Sequence, residues 1–228
     1  MRRLVGTLLV LCALAFAADR GALVLAKREL ATQIQAQTHV QQRPGISLRG
    51  FPFLTQAVRG RYDGGQVTLQ DLRTDRLRVQ SLVVDLRDVR VPLSDLLSGA
   101  VSAVPVGQLT GTARISYAEL AAATQIPHLR LRSRAGRLEI AVPVTQADHT
   151  ILIVASGRIA VSGHALRITA GQVQGVPVPQ ALVDIVLAQL RNRLTLEHLP
   201  YGLALTGVGV HDAGIEVQVR ARHVVLRR

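Results

Sequence analysis

Seven histidines, His39, His128, His149, His164, His198, His211 and His223, are spread along the chain. No two form an H-x-H or H-E-x-x-H pair, the spacings that set two imidazoles on one face of a strand or helix for a metal ion. Asp85 and Asp88 are the closest plausible carboxylate pair. On a regular strand an offset of three turns them to opposite faces, and a bulge between them would only blur that, which argues against an acid/base pair there. Cys12 follows Leu11 inside an apolar run, where a lipoprotein-type modification would want a small residue. There is no G-x-S-x-G elbow, no P-loop, and no G-x-G-x-x-G at a strand-to-helix junction. Gly207-Val-Gly209 lies in a strand pattern, where glycine marks a bend. These residues assemble no nucleophile, base and orienter, and they call for no metal and no cofactor. The chain reads as a non-enzyme.

What the sequence offers in place of reactive groups is aliphatic surface. Nearly half of its 228 residues are apolar, yet it has no Trp, three Phe and three Tyr. Val, Leu, Ile and Ala carry the apolar content, which is the composition of a folded domain leaning toward strands. The formal charge is +12, and Lys27 is the only lysine. A surface so rich in arginine suits nucleic acid, anionic headgroups or acidic polymer alike. Topology decides among them.

Residues 1–18 carry Arg2 and Arg3, then an apolar run from Leu4 to Phe16, then the small residues Ala15, Ala17 and Ala18. That order is the n-region, h-region and cleavage site of a signal peptide, with an uncleaved N-terminal anchor as the rival reading. Either way residues 19–228 are expected as a single domain in the periplasm or cell envelope, where nucleic acid is not a partner. The mature chain has no cysteine, so a disulfide framework is excluded.

The elements that must position any site follow from periodicity. Leu23, Ala26, Leu30 and Ile34 repeat at helical spacing within 20–40. Over 77–91 the apolar phase changes parity twice, from Leu77 and Val79 to Leu82, Val84 and Leu86, then to Val89 and Val91. β-Bulges in one curved strand explain this. Pro92 opens a short helix that Gly99 closes, and 104–115 returns to strand. Ser116-Tyr-Ala-Glu119 is a capping box opening a helix through Ala123. Strands follow over 128–133, 137–144, 150–161 and 164–170, with turns short enough to demand an antiparallel meander. A second amphipathic helix is expected over 179–192, then strands over 194–197, 202–210 and 214–226. The fold class is α+β, a curved antiparallel sheet with a few helices laid along or inside it.

Several strands are apolar on both faces, as in Leu82-Val83-Val84. A sheet covered by helices accounts for that, and so does a groove lined by the concave face. A groove of aliphatic side chains without paired polar groups suits acyl chains. Its lining by phase is Leu82, Val84 and Leu86 from the bulged strand, with Leu182, Ile185, Val186 and Leu190 from the second helix. Phe51 and Phe53 stand together in a Gly- and Pro-containing segment, either near an opening or as a hydrophobic plug at a sheet edge. Arg49, Arg59 and Arg61 are headgroup candidates, unless they are ordinary solvated loop residues.

Gly50-Phe-Pro-Phe-Leu-Thr-Gln56, Gly60-Arg-Tyr-Asp63 and Val89-Arg-Val-Pro-Leu-Ser-Asp95 with Gly99 occur in that order. Thr110-Gly-Thr-Ala113, Ser116-Tyr-Ala-Glu-Leu120 and Leu199-Pro-Tyr-Gly-Leu-Ala-Leu-Thr-Gly-Val208 complete the set. Together, over residues 25–226, they resemble the actinobacterial LmeA-like phospholipid-binding family. The resemblance implies a TULIP-like (tubular lipid-binding) fold, with a highly curved antiparallel sheet wrapped around a long helix. It also implies phospholipid as partner, phosphatidylinositol species among the candidates, and a role at the membrane surface in envelope lipid handling or lipomannan maturation. It implies no catalytic residue.

Two rivals follow from the residues. An accessory enzyme acting on lipid-linked glycans would bring Asp85, Asp88 and Tyr117 together. A scaffold binding acidic cell-wall polymer would use Arg76, Arg78, Arg130 and Arg132.

Overall fold

The computed structural model of the chain describes residues 2–38, 42–74, 78–98, 101–146, 149–162, 165–174 and 202–227. The expected helix over 179–192, the strand over 194–197 and the closing Gly99 lie outside the described residues.

The molecule is α+β, as the periodicity requires. In chain order it comprises α1 (Arg2–Thr38), β1 (Gly45–Arg49), α2 (Phe53–Arg59), β2 (Arg61–Arg73), β3 (Arg78–Arg90), α3 (Leu93–Ser98) and β4 (Ala103–Ser116). Then come α4 (Tyr117–Thr124), β5 (Arg130–Arg134), β6 (Arg137–Gln146), β7 (His149–Ser162), β8 (Ala165–Gln174), β9 (Ala204–His211) and β10 (Gly214–Arg227). One sheet has the order β1-β2-β3-β4-β10-β9 and the other β5-β6-β7-β8. The second is the expected antiparallel meander, paired from Arg130↔Ala141 to Ser162↔Ala165 with one register shift between β7 and β8.

Two compact units can be distinguished: residues Met1–Leu69, Val84–Leu109 and Arg222–Arg228, and residues Gln70–Val83 and Thr110–Ala221. Strands β2, β3, β4 and β10 each run through both.

In the first unit the apolar run and the amphipathic stripe form one helix, where two segments were expected. No breaker separates them: a lone Gly21 costs about 1 kcal/mol in a helix, and the Asp19 carboxylate is occupied elsewhere rather than competing for its own backbone. The covered side of α1 runs through Asp19, Leu23, Ala26, Ala31 and Ile34, in the phase of the expected stripe. Asp19 and Ala31 are its most buried residues.

The second phase slip in β3 has a local cause. Asp88 sits at φ 50°, the left-handed conformation that Asp tolerates better than most residues and that one class of bulge uses. Its neighbours leave room for it. A Cβ on Gly64 would stand 2.0 Å from the Leu86 carbonyl oxygen, and one on Gly107 would stand 2.9 Å from the Asp88 Cβ. At Gly64, where the obstructing atom is main chain, only glycine permits the approach.

In the second unit, Tyr117 and Leu120 of α4 pack with Leu129, Leu131, Leu138, Ile140, Val142, Leu205, Ile215 and Val217. Leu138 and Ile215 are almost wholly enclosed. Ser116 caps α4 as the capping box requires, its Oγ accepting from the Glu119 N–H at 3.2 Å. Two register shifts, at Ala155/Gly157 in β7 and Gln218/Val219 in β10, carry no signal in the hydrophobic pattern.

Candidate functional site

Three of the motifs, Gly50–Gln56, Gly60–Asp63 and Val89–Asp95, fall within the first unit. Gly50 at φ 92° ends β1, and the Phe51–Pro52 peptide is cis. Gln56 Oε1 accepts from the Asp63 N–H at 2.9 Å, and a Cβ on Gly50 would collide with both of those side chains. Gly60, left-handed at φ 63°, closes α2, and its carbonyl accepts from the Val91 N–H at 3.0 Å. The first three motifs therefore describe one small structure, α2 pinned between β1, β2 and the end of β3.

The two phenylalanines part company here. Phe53 is buried with its ring centroid 6.1 Å from Tyr62, the plug of the alternative reading. Phe51 is 64% exposed and lies 6.1 Å from Phe16 of α1. Burial raises the pKa of the Tyr62 phenol, whose hydroxyl has no partner among the described residues.

Along β3, Leu82, Val84 and Leu86 are half-buried, but so are Ser81, Val83 and Asp85 between them. Neither face of this stretch is sealed and neither is open. Leu182, Ile185, Val186 and Leu190 lie outside the described residues.

The arginines also divide. Arg49 is tied to Asp85 through two hydrogen bonds, Nη1 donating to Oδ1 at 3.1 Å, and Arg87 approaches the same carboxylate at 3.5 Å. Arg59 and Arg61 are exposed and form no salt bridge among the described residues. Arg61 does contribute, after the hydrogen-bonding Arg90 and with His223, to the positive field that holds the Asp88 pKa below its usual value.

The three groups of the enzyme reading have separate engagements. Asp85 pairs with Arg49 and Asp88 with Arg90, while the Tyr117 hydroxyl donates to the His211 carbonyl at 2.6 Å. Burial raises the pKa of the Tyr117 phenol. No group of three or more His, Cys, Asp or Glu that could hold a metal ion occurs among the described residues. Of the scaffold arginines, Arg78 pairs with Asp71 at 2.9 Å and Arg132 with the buried Glu139. Arg130 is exposed, and Arg76 lies outside the described residues.

Compared with known protein families, residues 17–220 match the model of the LmeA-like phospholipid-binding proteins. The chain belongs to that family. No curated protein and no solved structure matches it. The long N-terminal helix and large antiparallel sheet agree with the TULIP-like fold of LmeA-like proteins, and a lipid-binding protein is what this membership supports. The match begins at Ala17, inside α1, so the LmeA-like region takes in the end of the apolar run.

Sequence reasoning missed Asp19, the exposed Val58 and the glycine pair around Asp88. The Gly64-Gly65 doublet signals a close approach. Nothing in the sequence couples Asp19 to a residue 35 positions away.

Proposed function

We propose that the chain is an exported, non-catalytic envelope protein whose residues 19–228 act as one lipid-binding domain, holding the acyl chains of a phospholipid against aliphatic side chains. The half-buried stretch of β3 carries this reading within the family membership. Side chains covered on both faces but sealed on neither leave hydrocarbon that an acyl chain can cover, at about 25 cal/mol per Å² of apolar surface removed from water. Leu82, Val84 and Leu86 are its candidates, with Leu182, Ile185, Val186 and Leu190. Phe51 is the candidate near the opening, with Phe53 buried behind it against Tyr62, and Arg59 and Arg61 are better placed for a phosphate headgroup than the ion-paired Arg49. Phosphatidylinositol species and a part in lipomannan maturation are the finer form of this proposal.

The N-terminal helix is retained in this reading as a membrane anchor. The helix over Val5–Ala36 contains a stretch long and apolar enough to cross a bilayer and is mostly uncovered, and its charge-free part ends at Ala18. Asp19 and Phe16 take part in holding α2, contacts that cleavage behind Ala18 would disrupt or remove.

Native mass spectrometry of the full chain, with lipid extraction, tests the binding. A stoichiometric phospholipid, lost in the Val84→Glu variant, supports it. A chain that stays empty after incubation with phosphatidylinositol and cardiolipin vesicles refutes it.

A further inference from the structure

Helix α2 buries Phe53 and Ala57 and turns a second apolar face outward. Leu54 and Val58 stand four residues apart on one side of α2, and Phe51 lies just before its N-cap, Pro52. Phe51, Leu54 and Val58 are 64, 39 and 74% exposed. Val58 is more open to water than any other large apolar side chain in the described part of the molecule, although α2 is firmly seated through its opposite side.

This face does not stand alone. Phe51 lies against Phe16, close to the end of the charge-free run of α1 at Ala18. The Arg20 guanidinium sits over both rings, 5.6 Å from the Phe16 centroid and 5.0 Å from that of Phe51. The Asp19 carboxylate accepts the Leu54 N–H at 2.8 Å and so ties the first turn of α2 to this level of α1. Asp19 and Arg20 are the first charged residues after Arg3. In a helix that crosses a bilayer, the boundary between its apolar run and its first charges lies at the headgroup layer, where aromatic rings and arginines collect. The contacts to Phe16, Asp19 and Arg20 set α2 at that same depth. Arg59 and Arg61, both exposed, add positive charge beside the apolar face.

The geometry points to α2 as a membrane-docking helix: Phe51, Leu54 and Val58 enter the interfacial layer of the bilayer that holds α1, with Arg20, Arg59 and Arg61 against anionic headgroups. Apolar burial combined with attraction to anionic lipid is how short interfacial helices bind. Docking of this kind holds the lipid-binding domain against the leaflet from which a phospholipid could be drawn. The inference rests on the retained anchor but not on the identity of any bound lipid.

The chain contains no tryptophan, so single-tryptophan variants report depth without background. Leu11→Trp in α1 and Val58→Trp in α2, made in the full chain, are placed in vesicles of phosphatidylcholine and phosphatidylglycerol carrying brominated acyl chains. Leu54→Trp serves as a second α2 reporter, and circular dichroism checks that each variant is folded. The expected result is quenching of the Leu11→Trp indole by deep bromines, with a blue shift and quenching of the Val58→Trp indole by bromines close to the carbonyl groups. Quenching of the α2 indole should weaken when phosphatidylglycerol is omitted and when Arg59→Ser and Arg61→Ser are added. A quenched α1 indole with a fully hydrated α2 indole overturns the docking of α2 and leaves the anchor standing. If neither is quenched, anchor and docking fall together. An α2 indole shielded without lipid, in proportion to protein concentration, identifies a second copy of the chain as the occupant and overturns the proposal.

Discussion

Asp19 Oδ1 accepts the backbone N–H of Leu54 at 2.8 Å across 35 residues of sequence, and Arg20 Nη2 meets the other carboxylate oxygen at 2.5 Å. Pro52, at the N-cap of α2, provides no capping side chain. The cap therefore comes from another helix, and it ties the first turn of α2 to α1. Asp19→Ala is expected to leave the sheets intact and to raise the hydrogen-exchange rate of the α2 amides, Leu54 first. Unchanged exchange there would show that Phe53 and Ala57 suffice to hold the helix.

The left-handed backbone at Asp88 has two glycines close to it, Gly64 and Gly107. Gly64, at φ 146°, lies under the Leu86 carbonyl. Gly64→Ala is expected to cost more than Gly107→Ala: its backbone strain alone is of order 1–3 kcal/mol, and the obstructing atom is main chain. Gly107 meets side-chain atoms of the exposed Asp88, which can yield. Denaturant midpoints of the two variants measure the ranking.

Leu138 is among the most enclosed side chains of the second unit. Leu138→Ala removes buried methyl groups from β6 and leaves a cavity, so a loss of about 2–5 kcal/mol is expected from chemical denaturation. A loss well below that range would mean that the packing of β5–β8 can close over the gap.

The Tyr117 hydroxyl links α4 to the turn after β9 by its bond to the His211 carbonyl. Burial raises the phenol pKa in the fold. A group raised above its unfolded value of about 10 favours the folded state below that pH, and the contribution is lost as pH rises through the folded pKa. Stability should therefore fall in alkaline solution. Tyr117→Phe should lose about 1 kcal/mol near neutrality and show a shallower alkaline decline in thermal melts followed across pH.

The Arg114–Glu216 pair, with Nε donating to Oε2 at 3.0 Å, works in the opposite direction. Arg114 and then Gln218 lower the Glu216 pKa by hydrogen bonding. The stabilisation is present above the ordinary glutamate pKa and is lost as pH falls through the depressed value. Arg114 is largely exposed, so salt screens the pair and the effect is small. Glu216→Gln should reduce the acid dependence of stability at low ionic strength and change it little at high ionic strength.

Much of the fold was legible because its cause is local. The α4 capping box, the alternation of Leu129 and Leu131 with arginines in 130–132, and the parity slip before Val91 each report their element within a few residues. The two register shifts and the long reach of Asp19 were not legible, since strand pairing and distant caps join residues with no relation in sequence spacing. For the candidate site, local pattern marked Phe51 and Phe53 as special but could not separate them. Both follow the same Gly-Pro punctuation, and which ring turns inward depends on the partner that α2 packs against. Likewise Arg49, Arg59 and Arg61 read alike as charges beside one segment, until tertiary pairing gives Arg49 a carboxylate from β3. Sequence alone determined the class of surface, an aliphatic, arginine-rich chain with an apolar N-terminal run, because composition and periodicity act residue by residue. Only tertiary structure decided which of those side chains are core, which are paired and which face outward, because burial and ion pairing belong to residues that the fold brings together.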